Sequence, residues 1–151
     1  RLPNDTICDA VAENVSLFGP PRATKADKEA VKEMGYTNGF NGTVTTGYGK
    51  QGRGSSDEDN VSWLAPMGRF TVACYALGTP GHHRDMAAQA VLPFADRAIS
   101  QAAKIFAGSA FDLFQKPELL SKIKSEFRGK TKGFKYDPLI PKRQKVPMDP
   151  P

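Results

Sequence analysis

The sequence predicts an α/β fold, and three observations carry that prediction. Residues 69–77 (Arg-Phe-Thr-Val-Ala-Cys-Tyr-Ala-Leu) are rich in β-branched and aromatic residues, apolar on both faces, and bounded by Gly68 and Gly78-Thr79-Pro80. A strand that is apolar on both faces belongs inside a sheet covered by helices on each side. Two segments that follow it, 93–114 and 117–128, each open on a proline and carry apolar residues at helical spacing. The expected architecture is a mixed or parallel sheet with the 69–77 strand inside, flanked by those helices.

Each element has its own local reason. Residues 3–17 read as a helix entered through Pro3 and Asn4, with Ile7, Ala10, Val11, Val15 and Leu17 as its apolar stripe, and Gly19-Pro20-Pro21 stops it. Thr24-Lys25-Ala26-Asp27 offers a cap with a carboxylate at the third helical position, so a short helix should run to about Met34. Residues 35–56 hold seven glycines, which weaken any regular structure; a strand over 42–47 is the most that is expected there. No phosphate-loop pattern occurs among those glycines, which argues against a nucleotide site. The long helix should start at Pro93 and bury Phe94, Ala98, Ile99, Ala102, Ala103, Phe106, Ala110 and Phe111. Pro117 opens the next helix, and a proline-rich extended tail follows over 137–151.

Composition bounds the class. The 151 residues suit one core of ordinary size, and 39% hydrophobic with 25% charged residues describes a soluble, globular chain. No apolar run approaches the ~18–20 residues needed to cross a bilayer, and no signal segment opens the chain. Cys8 and Cys74 fall in apolar patterns where buried free thiols are ordinary. The net charge of +5 is concentrated in residues 116–145, which hold ten Lys/Arg against Glu118, Glu126 and Asp137. With little aromatic interleaving, those lysines read as a solvated surface; a basic module for nucleic acid or an anionic partner is the alternative. Glu29 and Glu33, four apart, read as a solvated helix face, and Trp63 reads as core packed against the 69–77 strand. Asn4, Asn14, Asn41 and Asn60 each begin an Asn-x-Ser/Thr sequon, which leaves secretion open.

The chemistry-bearing residues lie on either side of the expected strand. Gly54-Ser55-Ser56-Asp57 is a small-residue turn ending on a carboxylate, Val61-Ser62-Trp63-Leu64-Ala65-Pro66 follows, and Gly78-Thr79-Pro80-Gly81-His82 presents a histidine beyond the strand. A histidine at the carboxyl end of a central strand stands where α/β folds place their sites, although by its chemistry alone it reads as a hydrogen-bonded surface residue. These motifs resemble the C-terminal part of the metal-dependent amidohydrolases of the M20 peptidase family, nearest to its p-aminobenzoyl-glutamate utilization branch. The resemblance implies a zinc-peptidase-like catalytic domain: 1–35 as a helical segment returning from a lid domain, 36–136 as the C-terminal part of the catalytic domain, and 137–151 as the tail.

The same resemblance makes His82 a metal ligand, with His83 the competitor that the spacing from Thr79-Pro80 disfavours. It makes Ser55, Ser56 and Asp57 groups that shape the pocket or orient a ligand. It implies hydrolysis of the amide bond of an N-acyl, aminobenzoyl-like amino acid or short peptide-like substrate, with two divalent ions, zinc or manganese, polarising the carbonyl and activating water. One histidine cannot build such a site. Nothing in residues 1–53 matches the family's other ligands, so the general base and remaining ligands are expected upstream and the chain alone should be inactive. A catalytically dead member is a further reading. Two departures stand out: Glu58-Asp59-Asn60 where the family has Val-Gly-Asp, and Ala95-Asp96-Arg97-Ala98 where the branch has Ala-His-Lys-Gly. The implied compartment is the cytoplasm, and the implied partners are a small amide substrate and the rest of the enzyme or another copy, with neither membrane nor nucleic acid.

Overall fold

A computed structural model describes residues 1–46, 56–138, 140, 143 and 144. Six helices occur among them: α1 (Asp5–Phe18), α2 (Lys25–Glu33), α3 (Glu58–Val61), α4 (Arg84–Ala90), α5 (Pro93–Gln115) and α6 (Pro117–Lys130). α1, α5 and α6 pack on one another and form the frame. Its centre is made by Ala10 and Val11 from α1, Phe94, Ala95, Ala98 and Ile105 from α5, and Ile123 from α6.

Polar side chains fix the helix ends to this frame. The Asn4 side chain is buried; its Oδ1 accepts from Ile7 N at 3.1 Å while its Nδ2 donates to Ile123 O at 3.0 Å. One residue thus caps α1 and joins it to α6. Glu126 on α6 accepts from the amides of Asp5 (2.6 Å) and Thr6 (2.9 Å) and from the Thr6 hydroxyl (2.6 Å), so a carboxylate meets the first-turn donors of α1. At the other end of α1, Gln101 on α5 donates to the carbonyls of Phe18 and Gly19. Between the two helices, Asn14 donates to Asp112 Oδ2 at 2.8 Å, and Asp112 pairs with Lys116 at 2.8 Å. The sequons at Asn4 and Asn14 therefore lie on buried side chains and have no room for a glycan.

The starts and stops of α1, α2, α5 and α6 follow the sequence closely, whereas α3 and α4 are short helices that it does not announce. Thr24 and Asp27 form the expected capping box, and Arg97 on α5 reaches the same Asp27 carboxylate, which is buried. The residue that departs from the resembled branch at position 97 is thus the one that ties α2 to α5. Glu29 and Glu33 lie on the exposed side of α2.

Two expectations are corrected. The buried face of α5 is Phe94, Ala95, Ala98 and Ile105, whereas Ile99, Ala103, Phe106, Ala110 and Phe111 are exposed. α1 approaches across the face that carries Gly108, where an added methyl would collide with Asn14 and lie 2.7 Å from Phe18 Cε2. Trp63 is half-buried, and its ring partner is Phe134 at 4.3 Å between centroids.

Residues 66–74 are without helix, turn or bridge, and the only pairing among the described residues near them is one antiparallel bridge between Phe40 and Ala76. Leu77 N donates to Gly39 O at 2.7 Å beside it. The segment lies over α5: Phe70 meets Phe106 edge-on at 4.9 Å, and a groove of about 480 Å³ runs between Met67, Val72 and Cys74 on one side and Ala98, Ala102 and Phe106 on the other. Residues 42–46 are likewise irregular, and Gly47, Ser55 and nearly all of the 139–151 tail lie outside the described residues.

Candidate functional site

The 76–89 segment is built around one buried side chain. Gln89 on α4 is 1% exposed, its Oε1 accepts from Ala76 N at 2.8 Å, and its Nε2 donates to Thr79 Oγ1 at 2.9 Å. Thr79 Oγ1 in turn donates to Ala76 O at 2.8 Å, and Thr79 N donates to the same carbonyl at 3.2 Å. A closed ring of hydrogen bonds therefore fixes the turn, and Gly78 supplies the φ of +90° that the reversal requires.

The turn delivers His82 in an unusual conformation. Its φ is +56°, the one non-glycine positive φ among the described residues, and its amide donates to Met86 Sδ at 3.2 Å. The left-handed region penalises an L side chain, although histidine is among the residues that tolerate it. The His82 ring is exposed and makes no hydrogen bond or ion pair among the described residues.

His83 is engaged locally. It is the N-cap of α4, with Nδ1 accepting from Asp85 N at 3.3 Å and lying 3.3 Å from Asp85 Oδ2. Asp85 also accepts from the Tyr36 hydroxyl at 2.6 Å. That hydrogen bond holds the Asp85 carboxyl below the ordinary carboxylate range and pushes the Tyr36 phenol up. Tyr36, at the end of the α2 turn, thereby anchors α4.

The other candidate residues stand apart. Ser56 Oγ accepts from Glu58 N at 3.3 Å, and Asp57 occupies the N-cap of α3 with no side-chain cap bond. No hydrogen bond or ion pair among the described residues joins Ser56 or Asp57 to His82, and Ser55 lies outside them. The two acids that replace the resembled pattern are held by arginines. Arg1 pairs with Glu58 at 3.1 Å and with Asp59 at 3.0 Å, while Arg69 approaches Glu58 at 3.7 Å.

No group of three or more His, Cys, Asp or Glu side chains that could hold a metal occurs among the described residues. The one imidazole they offer at the turn does not complete a metal site. Gln89, Tyr36 and Asp85 were not singled out from the sequence. The available signal was a lone glutamine inside Ala87-Ala88-Gln89-Ala90, since a long polar side chain in an alanine run is either exposed or anchoring something.

The exposed basic surface is set by α6. Lys124 and Arg128, with Ser121 and Ser125, line a shallow depression of about 500 Å³, whereas Lys130 is bound by Glu126 at 2.8 Å and Asp5 at 2.9 Å. No helix among the described residues is long and apolar enough to cross a membrane.

No protein-family model matches the chain, and no solved structure does. The chain is similar to a p-aminobenzoyl-glutamate hydrolase subunit of Escherichia coli (strain K12), 26% identical over 174 aligned positions that take in 93% of this chain. It spans 36% of that protein's length, about a third of a hydrolase subunit.

Proposed function

We propose that the chain is part of an amidohydrolase that cleaves the amide of an aminobenzoyl-like N-acyl amino acid, water adding across the bond to release the free acid and the amine. The observation that carries this reading is the geometry of His82: an exposed imidazole held in the left-handed region by a turn whose every anchor is internal. Strain kept at a side chain that no hydrogen bond or ion pair ties to the described residues supports reading the position as one held for a ligand. The likeness to a p-aminobenzoyl-glutamate hydrolase subunit supplies the reaction class. The cofactor in this reading is a divalent ion, zinc or manganese, which takes His82 as one ligand and its remaining ligands from polypeptide outside the described residues. Ser55, Ser56 and Asp57 would line the substrate's approach, and the catalytic domain would be α/β, with residues 69–77 becoming a paired strand once neighbours are supplied.

The test is hydrolysis of p-aminobenzoyl-glutamate by a longer polypeptide that carries this chain, in the presence of zinc or manganese. His82→Ala should abolish turnover, and His83→Ala should leave most of it, because His83 serves the end of α4. Equal, small losses at both positions would remove His82 from the site.

A further inference from the structure

α5 is apolar on two opposite faces. One face carries the buried core residues Phe94, Ala98 and Ile105; the other presents Ile99, Ala103, Phe106, Ala107, Ala110 and Phe114, with the 66–74 segment along its edge, where Phe70 meets Phe106. Ile99, Phe106 and Phe114 are 68%, 67% and 82% exposed, and no charged side chain interrupts those six positions. Arg97, Gln101, Lys104, Asp112 and Gln115 hold the polar side between these faces, so a second apolar face left uncovered is one that a partner can bury.

The spacing of the outer face is its own mirror image. Reversing the helix about the Phe106–Ala107 bond sets Ile99 opposite Phe114, Ala103 opposite Ala110, and Phe106 opposite Ala107. Two copies crossing antiparallel at that point would place large against large at both ends. Small residues would meet between, and each central Phe would face an Ala. This is the alternation that lets side chains interdigitate and helix axes come within ~8–10 Å. The stripe runs roughly 22 Å along the helix, at about 1.5 Å per residue.

The area is adequate for a specific but weak contact. Phe106 and Phe114, at roughly 150–250 Å² each, leave on the order of 300 Å² uncovered, and Ile99 with the alanines brings the patch to about 500 Å². Doubled, that is about 1,000 Å², the size a specific but weak interface has to reach and above most lattice contacts.

We propose that this face of α5 docks on the same face of a second copy, forming an isologous antiparallel dimer with its two-fold axis at the Phe106–Ala107 bond. A two-fold contact is the arrangement a self-complementary patch produces. The surface is separate from the His82 turn, so the inference stands independently of the hydrolase reading.

The test is the molar mass of the full chain by sedimentation equilibrium over a range of concentrations. The expected result is a concentration-dependent approach to the mass of two chains, returning to one chain in Phe106→Glu and in Phe114→Glu, both with the helical circular dichroism signal retained. In a Cys8→Ser, Cys74→Ser background, Ala107→Cys should be cross-linked by a short bis-maleimide into a covalent dimer, and Lys28→Cys on α2 should not. A chain that stays monomeric and binds a hydrophobic dye would overturn the proposal and assign the face to a different polypeptide. So would self-association that survives both glutamate variants, or equal cross-linking at both cysteines.

Discussion

His82 combines a φ of +56° with an imidazole that no hydrogen bond among the described residues engages, and an L residue in that region costs roughly 1–2 kcal/mol against its ordinary conformation. If the position is kept for a ligand rather than for the fold, removing its side chain should relieve the chain. His82→Gly is expected to raise stability by about 1 kcal/mol in thermal melts. His83→Ala should lower it by a comparable amount, because it deletes the α4 cap at Asp85 N. Destabilisation by His82→Gly would make His82 a structural residue. Glu126 is the opposite kind of residue, with every interaction internal. Its burial alone would raise the carboxyl, but hydrogen bonds from Lys130, the Thr6 hydroxyl and the Thr6 and Asp5 amides outweigh that and hold it at about 2. Because the folded value lies below the ordinary 4.5, the stabilisation is fully present above that value and lost as pH falls toward 2. Glu126→Gln should therefore lower stability at neutral pH and flatten the acid limb in that window, read as melting temperature against pH. An unchanged acid limb would show that Glu126 is not the group titrating there.

At the scale of elements, α1, α2, α5 and α6 were legible because their signals are local, whereas the short α3 and α4 were not expected. Pro93 and Pro117 open α5 and α6, Gly19 ends α1, and Thr24 with Asp27 forms a capping box from residues three apart. Thr24→Ala should cost about 1 kcal/mol by unmaking that box, measured by denaturant unfolding. What failed was part of the face on α5: Phe94 and Ala98 are buried as expected, but Ile99, Ala103, Phe106, Ala110 and Phe111 are exposed. Two apolar stripes share that helix, and spacing alone cannot say which one α1 will meet. The deciding residue was Gly108, whose missing side chain lets Asn14 and Phe18 approach. Gly108→Ala should accordingly cost roughly 1–3 kcal/mol by overpacking, despite alanine's better helix propensity. A stabilising Gly108→Ala would mean that the helices separate there at little cost. The 69–77 segment failed to be legible for a different reason. Strand residues are recognised by composition, but a sheet exists only through partners distant in sequence, and here a single bridge to Phe40 is formed among the described residues.

For the molecule as a whole, the site was only partly legible. The turn and its histidine follow from Gly-Thr-Pro-Gly-His, but Gln89 and Tyr36 hold it from positions 7 residues after and 46 residues before His82, which no local motif links. Composition likewise could not show that Glu58 and Asp59, the acids beside Asp57, are taken up by Arg1 and Arg69 rather than left open to a cation. These pairings bear on what the chain can do by itself. A closed structural zinc site uses four protein ligands and a catalytic one three, whereas the His82 turn offers one ring whose nearest basic neighbour, His83, is turned onto its own helix. A single exposed imidazole gives no chelate, so zinc titrated into the full chain should produce a shallow, non-saturating calorimetric isotherm, reduced further by His82→Ala and unchanged by Cys74→Ser. Stoichiometric, saturable heat that survives His82→Ala would place a metal site elsewhere in the chain. Saturable heat abolished by His82→Ala would instead mean that the chain supplies partners to His82 without any other polypeptide.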